Sequence, residues 1–218
     1  MNKQGPGKIE YCDWTWNPVS GCLHSCPYCY ARRMAMRFQG HFKPTYHPEK
    51  LYEPIAKKKP QRIFICSTAD LFGEWTGKEI IKDILKITQE ANQHQYLFLT
   101  KNPKRYFEFN YSKQSCFPPN CWLGQTVDGI HSHFDPFGFL SADHHFVSCE
   151  PLLADVSREL HYSLLDWIII GGQTGPGAVK PKKEWIENII KKARARGIPV
   201  FLKSNLHWTK KIQEYPAG

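Results

Sequence analysis

Short apolar runs alternate with longer amphipathic segments along most of the chain. Apolar runs of strand length occupy 62–66, 95–100, 121–126, 145–149, 166–170 and 199–202. Apolar residues recur at helical spacing over 77–93 and again over 185–197, where Gly197 suits the left-handed end of a helix. The pattern therefore predicts about six β-strands, with helices between some of them.

Alternation of strands and helices predicts an α/β fold in which parallel strands form one sheet and helices cover its outside. The chain of 218 residues has the length of one domain, so we expect a single domain over 1–218. The expected sheet of about six parallel strands is either open or curled into a whole or partial (β/α) barrel. The stretch 110–143, rich in Pro, Phe, Gly and His, is interpreted as irregular around its strand.

Polar residues follow the predicted strands at the point where each strand ends. In parallel α/β folds the carboxyl ends of the strands meet at one edge, where ligands bind. Six strand ends that turn polar together predict a binding site at that edge. The residues concerned are Ser67, Thr68, Asp70, Thr100, Lys101, Gln125, Thr126, Glu150, Gly172, Gln173, Lys203 and Ser204.

Three of the eight cysteines form a compact motif within the loop 21–30. Cys22, Cys26 and Cys29 have the spacing Cys-x3-Cys-x2-Cys. Three thiolates on one loop can bind three irons of a 4Fe–4S cluster and leave the fourth iron open for a small ligand. Structural zinc usually takes four ligands in two separated pairs, and His24 lies too tightly between two cysteines to complete an easy tetrahedron. The motif favours a cluster; the alternatives are zinc and ordinary buried thiols.

The cysteine motif, with an aromatic residue before its last cysteine, resembles the radical S-adenosylmethionine superfamily. Over nearly the whole chain, segments such as DWTWNPVSGC, RIFICSTADLF, FLTKNPKR and DWIIIGGQTGPGA resemble a small phage-related family of such proteins. A shorter similarity to spore photoproduct lyases covers the cysteine run, Cys66 to Asp70, and Thr100-Lys101. The resemblance implies a cluster that reductively cleaves S-adenosylmethionine, and a 5′-deoxyadenosyl radical that abstracts hydrogen from a substrate.

The resemblance also assigns roles to individual residues around the cluster. Tyr28 is expected to contact the adenine, although loop packing is the alternative. Ser67, Thr68 and Asp70 are expected to bind the methionine amino group, unless they cap the following helix. The remaining expected cofactor contacts are the strand-end residues Lys101, Gln125, Thr126 and Glu150 and the glycine-rich loop residues Gly171, Gly172 and Gln173.

Cysteines outside the motif divide into two groups. Cys66 ends a strand on the functional edge, and the similarity to spore photoproduct lyases implies a hydrogen-atom donor near this position. Its alternative is a small thiol buried in the core. Cys12, Cys116 and Cys121 are expected to be ordinary buried or loop thiols.

Composition and charge indicate in which compartment such a site would work and what kind of partner it would bind. Hydrophobic residues make up 41% of the chain, charged residues 22%, and no apolar stretch is long enough to span a membrane. The N-terminal segment lacks a signal-peptide core, so we expect a cytoplasmic protein without disulfides. The formal net charge of +9 favours an anionic partner such as nucleic acid, and a solvated basic surface is the alternative.

Two functions therefore compete at the level of sequence. The first is a radical enzyme that takes electrons from a flavodoxin or ferredoxin and acts on a nucleobase, nucleotide or nucleic acid. Because the chain is near the minimum for such a fold, a partner protein that completes the site is also considered. The second is a nucleic-acid-binding module with a structural metal site.

Overall fold

The computed structural model describes residues 1–109, 117–136 and 142–216. Its strands are β1 (Asn2–Lys3), β2 (Trp14–Trp16), β3 (Val19–Ser20), β4 (Thr45–Tyr46), β5 (Arg62–Ile65), β6 (Gln95–Thr100), β7 (Cys121–Thr126), β8 (His144–Cys149), β9 (Trp167–Ile170) and β10 (Val200–Leu202). Its α-helices are α1 (Tyr30–Gln39), α2 (Lys78–Glu90) and α3 (Lys183–Arg194). Short 3-10 helices cover Pro48–Lys50, Pro103–Phe109, Tyr162–Leu164 and Ser204–Leu206.

Eight strands form one open, curled half-barrel in the order β1-β2-β5-β6-β7-β8-β9-β10. All neighbours from β2 to β10 pair in parallel, and only β1 runs antiparallel to β2. The predicted parallel α/β sheet is confirmed, but the count of about six strands is wrong. The sequence pattern missed β1 and β2 because strands of two and three residues are too short to show a period.

The two faces of the half-barrel carry different side chains, because successive residues of a strand point to opposite faces. On the outer face, isoleucines and leucines of the strands pack beneath the helices, against Ile81, Ile84 and Leu85 of α2 and Ile186 and Ile189 of α3. The concave face is filled largely by aromatic rings. They belong to Tyr11, Phe64, Trp122, Phe146, Trp167 and Phe201. Both helices therefore bury the apolar stripe that the sequence predicted.

Gly124 in β7 makes room for this aromatic filling. A Cβ atom at Gly124 would lie 2.3 Å from the ring of Phe146, which pairs with it on the neighbouring strand. Any side chain here would have to displace a fully buried ring. Farther along the same strands, Thr126 and Ser148 face each other on the concave side, so the interior changes from aromatic to polar toward the carboxyl edge.

Several smaller predictions can also be compared with the structure. Cys12 and Cys121 are free, buried thiols, as predicted, whereas Cys116 lies outside the described residues. The irregular stretch predicted over 110–143 falls partly outside them as well, at 110–116 and 137–141. In the part of the chain that the structure describes, no helix is long and apolar enough to cross a membrane.

Candidate functional site

A cavity opens at the carboxyl edge of the half-barrel, beside the cysteine loop. It encloses about 1070 Å³ of empty space, including its open mouth. Nine of the predicted cofactor contacts line it together with the three motif cysteines: Tyr28, Ser67, Thr68, Asp70, Lys101, Thr126, Glu150, Gly172 and Gln173. Residues that are far apart in sequence meet here because every strand of the parallel sheet ends at the same edge.

The cysteine loop is held beside the end of β5 by its first residue. Gly21 forms a parallel bridge with Ala69, and its N–H donates to the carbonyl of Thr68 at 3.0 Å. The φ of Gly21 is +82°, and a Cβ atom here would lie 2.1 Å from the carbonyl oxygen of Lys43. Glycine is the residue that this turn permits, for both reasons.

All three motif cysteines are free, partly exposed and in contact with the cavity. Burial raises the pKa of Cys22 to about 11, and burial likewise raises the pKa of Cys26 against the opposing charge of Lys101. Cys29 is the N-cap of α1, where its Sγ accepts a hydrogen bond from the N–H of Arg32 at 3.3 Å.

The three thiols line the cavity but are not arranged as ligands of a single metal ion. Among residues 1–109, 117–136 and 142–216, no three or more His, Cys, Asp and Glu side chains are arranged to hold one metal ion. The cysteines are nevertheless close enough to influence one another electrostatically, since Cys26 and Cys29 both act on the Cys22 thiol.

Asp70 joins the cysteine loop to two strand ends. Its buried carboxylate accepts hydrogen bonds from His24 Nε2 (2.7 Å) and Thr100 Oγ1 (2.7 Å). It also accepts from the backbone N–H groups of Lys101 (2.8 Å) and Phe72 (3.0 Å). Asp70 borders the cavity as predicted, but in this structure its carboxylate is already engaged by four donors. His24, which the sequence suggested only as a poor zinc ligand, instead fastens the loop to this carboxylate.

A second buried carboxylate, Asp128, fastens the same loop at Tyr28. One oxygen of Asp128 accepts from the Tyr28 hydroxyl and lies 3.5 Å from Lys101 Nζ. The Lys101 ammonium also donates to the Tyr28 hydroxyl (2.8 Å) and to Ser132 Oγ (2.7 Å). The other oxygen of Asp128 accepts three backbone N–H groups, those of Ile130, His131 and Ser132, at 2.6–3.0 Å.

Burial works to raise the pKa of Asp128, but hydrogen bonds from Tyr28 and from the backbone of Ile130 and His131 outweigh it. The Lys101 charge acts in the same direction, and the net pKa of Asp128 is lowered. Burial and the hydrogen bond to Asp128 raise the pKa of Tyr28. The pair is therefore a phenol and a carboxylate. Asp128 was not predicted from the sequence, although the Asp-Gly pair that begins two residues after the end of β7 is a recognisable turn signal.

Glu150 and Lys203 form an ion pair on the opposite side of the cavity. Gly171 does not line the cavity, but a Cβ atom there would lie 2.9 Å from the Glu150 side chain, so its role here is to leave room. Gln125 also lies away from the cavity. Its side-chain amide donates to the Asp135 carbonyl (2.6 Å) and accepts from the Asp135 N–H (2.9 Å), which fixes the loop after β7.

Cys66 lies where the core meets the cavity. It is 3% exposed, packs with Trp16 and Val19, and also borders the cavity. Burial raises its pKa to about 12, so the sulfur is a thiol at neutral pH. Its φ of +56° places it in the left-handed region, which non-glycine residues seldom adopt. The next residue, Ser67, donates from Oγ to Asn17 Oδ1 at 3.0 Å.

Fold and site together define an α/β half-barrel protein whose candidate site is a thiol-lined cavity at the carboxyl edge of a parallel sheet. The chain belongs to the family described as protein of unknown function (DUF5131), whose model matches residues 6–216. Searches of curated proteins and of solved structures found no match.

Proposed function

We propose that this protein is a radical S-adenosylmethionine enzyme with a 4Fe–4S cluster on Cys22, Cys26 and Cys29. The observation that carries the proposal is the position of these three free thiols. They border one cavity, and that cavity lies at the carboxyl edge of a parallel half-barrel among polar strand ends. The sequence resemblance to the radical S-adenosylmethionine superfamily points to the same chemistry.

The donor set suits a cluster better than a single ion. In a cubane each cysteine binds a different iron, so the thiolates surround a volume and do not converge on one point. Three free thiols beside one cavity are a donor set of the kind that a cubane uses. A tetrahedral zinc site would need a fourth ligand, and His24 lies too tightly between two of the cysteines to complete an easy tetrahedron.

The residues of the cavity have defined tasks in this proposal. When bound, the cluster supplies one electron to S-adenosylmethionine, which then divides into methionine and a 5′-deoxyadenosyl radical that takes a hydrogen atom from the substrate. Ser67 and Thr68 offer hydroxyls for the methionine amino group, and Glu150 is an acceptor for ribose hydroxyls. Lys101 and Lys203 place positive charge beside the cavity for a carboxylate or a phosphate.

The proposed setting is a reducing cytoplasm, in which thiols stay free and a flavodoxin or ferredoxin supplies the electron. The net charge of +9 supports a nucleotide or a nucleic acid as the substrate, whereas a protein that completes the open site would be a partner.

Anaerobic reconstitution with iron and sulfide tests the proposal directly. The protein should bind about four irons per chain and, with S-adenosylmethionine and a reductant, release 5′-deoxyadenosine detectable by mass spectrometry. The protein isolated from cells should carry iron and little zinc. Stoichiometric zinc, with no 5′-deoxyadenosine after reconstitution, would refute the enzyme and favour the nucleic-acid-binding module with a structural metal.

A further inference from the structure

A second cavity opens at the same edge of the sheet, beside the end of β10. It encloses about 940 Å³ of empty space, including its mouth. One wall follows β10 through Ser204 and Trp208, and the other is the C-terminal segment, in which Gln213 forms an antiparallel bridge with Phe201. Lys203 lines this cavity and the candidate site as well, so the two cavities adjoin at that side chain.

Among the described residues, Glu10 is the one acidic side chain that lines the second cavity, and it is already hydrogen-bonded. Glu10 accepts hydrogen bonds from the N–H and the hydroxyl of Ser204, the latter at 2.6 Å. Its other oxygen also accepts from Gln213 Nε2 at 3.2 Å. This carboxylate thus ties the two walls together, and its one negative charge is outnumbered by those of Lys203, Lys210 and Lys211, so the described lining keeps a positive excess.

Of the described lysines that line the second cavity, Lys203 is paired with Glu150, but Lys210 and Lys211 remain available to an anion. Lys210 and Lys211 are exposed, and neither forms an ion pair within the described part of the chain. Trp208 stands beside them, half-buried, with Lys183 Nζ 5.9 Å from the centre of its ring. Basic side chains next to an aromatic ring are the combination that binds phosphates and stacks bases of single strands.

The border shared with the candidate site decides between a small anion and a polymer. A free phosphate would contact one cavity alone, whereas Lys203 lines both. A polyanion can cross both. An enzyme that modifies a base needs that base outside a duplex, so a single strand suits two adjoining cavities better than a double helix.

We propose that the second cavity holds the sugar-phosphate backbone of a single-stranded nucleic acid, with an adjoining nucleotide in the candidate site. This inference rests on the proposed function, since it names the substrate class of the same site. Lys210 and Lys211 contact phosphates, and Trp208 stacks on a base. Lys203 lies at the border that the two cavities share.

Fluorescence anisotropy with a labelled oligonucleotide of about 20 nucleotides tests this inference on the protein without a cluster. The double variant Lys210→Glu/Lys211→Glu should bind at least about 10-fold more weakly. The slope of log affinity against log salt should fall by about 1.4, because each lost contact to a single strand contributes about 0.7. The matched control, Lys58→Glu/Lys59→Glu, changes an exposed lysine pair before β5, at the opposite edge, and should keep the original slope.

A second pair of variants examines stacking. Trp208→Leu should weaken binding about 5- to 150-fold, whereas Trp208→Tyr should keep most of the affinity because it retains an aromatic face. Three results would each overturn the inference: an equal loss of affinity in the two double lysine variants, no binding of the oligonucleotide by the wild type, or competition by polyglutamate as strong as that by unlabelled oligonucleotide. Failure of the proposed enzyme is distinguishable, because iron content and 5′-deoxyadenosine are measured without nucleic acid and oligonucleotide binding is measured without iron.

Discussion

Replacement of Asp128 by asparagine should destabilise the protein substantially, although it changes only one atom and one charge. Asp128 is 0% exposed. An asparagine carbonyl can still accept the three backbone N–H groups, so the turn after β7 is retained. Its amide group, however, would meet two donors, the Tyr28 hydroxyl and the Lys101 ammonium. A hydrogen bond to a charged group is worth about 1.5–3 kcal/mol, and Lys101 would lose its counter-charge.

We therefore expect Asp128→Asn to lower the free energy of unfolding by about 2–4 kcal/mol, and Asp128→Ala to lower it further because the backbone donors are also left unpaired. Urea unfolding followed by circular dichroism measures both values. Asp83→Asn, on the exposed face of α2, is the matched control and should stay within about 0.5 kcal/mol of the wild type. Asp128→Asn within that same range would refute the claim that this carboxylate holds the loop.

The pH dependence of the same variant gives an independent check. The folded-state pKa of Asp128 is lowered, so its contribution is present above the unfolded pKa, about 3.9, and is lost as the pH falls through the folded value. The stability difference between the wild type and Asp128→Asn should therefore be full at neutral pH and shrink in acid below about pH 4. A difference that grew on acidification would contradict the assigned sign.

Three further predictions concern the proposed cluster, the interior of the half-barrel and Cys66. Alanine at any one motif cysteine should abolish iron binding and 5′-deoxyadenosine formation, whereas Cys12→Ala should retain both, as iron analysis would show. Gly124→Ala should cost about 1–3 kcal/mol in urea unfolding because the new methyl meets the Phe146 ring, whereas Gly5→Ala, in open space, should be nearly neutral. If Cys66 donates hydrogen to a product radical, Cys66→Ala should still form 5′-deoxyadenosine but accumulate aberrant adducts; an unchanged product distribution would leave it a core thiol.

The sequence predicted the architecture well wherever apolar runs were long enough to show a period. Nine of the eleven expected contacts border one cavity: eight of them follow the strand ends, and Tyr28 belongs to the cysteine loop. Gln125 and Gly171 do not line the cavity, for different reasons. The Gln125 side chain is hydrogen-bonded to the loop after β7. Gly171 has no side chain, and the Glu150 side chain lies where its Cβ would be. The direction of a side chain at a strand end depends on local backbone geometry, which a hydrophobic pattern does not record.

The two carboxylates that hold the cysteine loop show a different limit of sequence reasoning. Asp70 was expected to meet a ligand and Asp128 was not expected at all, yet each is hydrogen-bonded to a residue between two motif cysteines. His24 lies between Cys22 and Cys26, and Tyr28 between Cys26 and Cys29. Spacing within the motif reveals which ligands can share a cluster, but not what positions the loop, because those partners lie 46 and 100 residues away in sequence.

This arrangement explains how a loop with no regular secondary structure can present three thiols to one cavity. His24 is hydrogen-bonded to Asp70 beyond the end of β5, and Tyr28 to Asp128 beyond the end of β7. Lys101, at the end of β6, links the two carboxylates: its N–H donates to Asp70, and its ammonium lies 3.5 Å from Asp128. Fixing His24 and Tyr28 restricts the backbone on both sides of Cys26 and on one side of Cys22 and of Cys29. Part of the entropy cost of ordering the loop is then met during folding, and less would remain to oppose binding of the proposed cluster. The carboxylates thus prepare the site by hydrogen bonding, while the thiols themselves stay free to face the cavity.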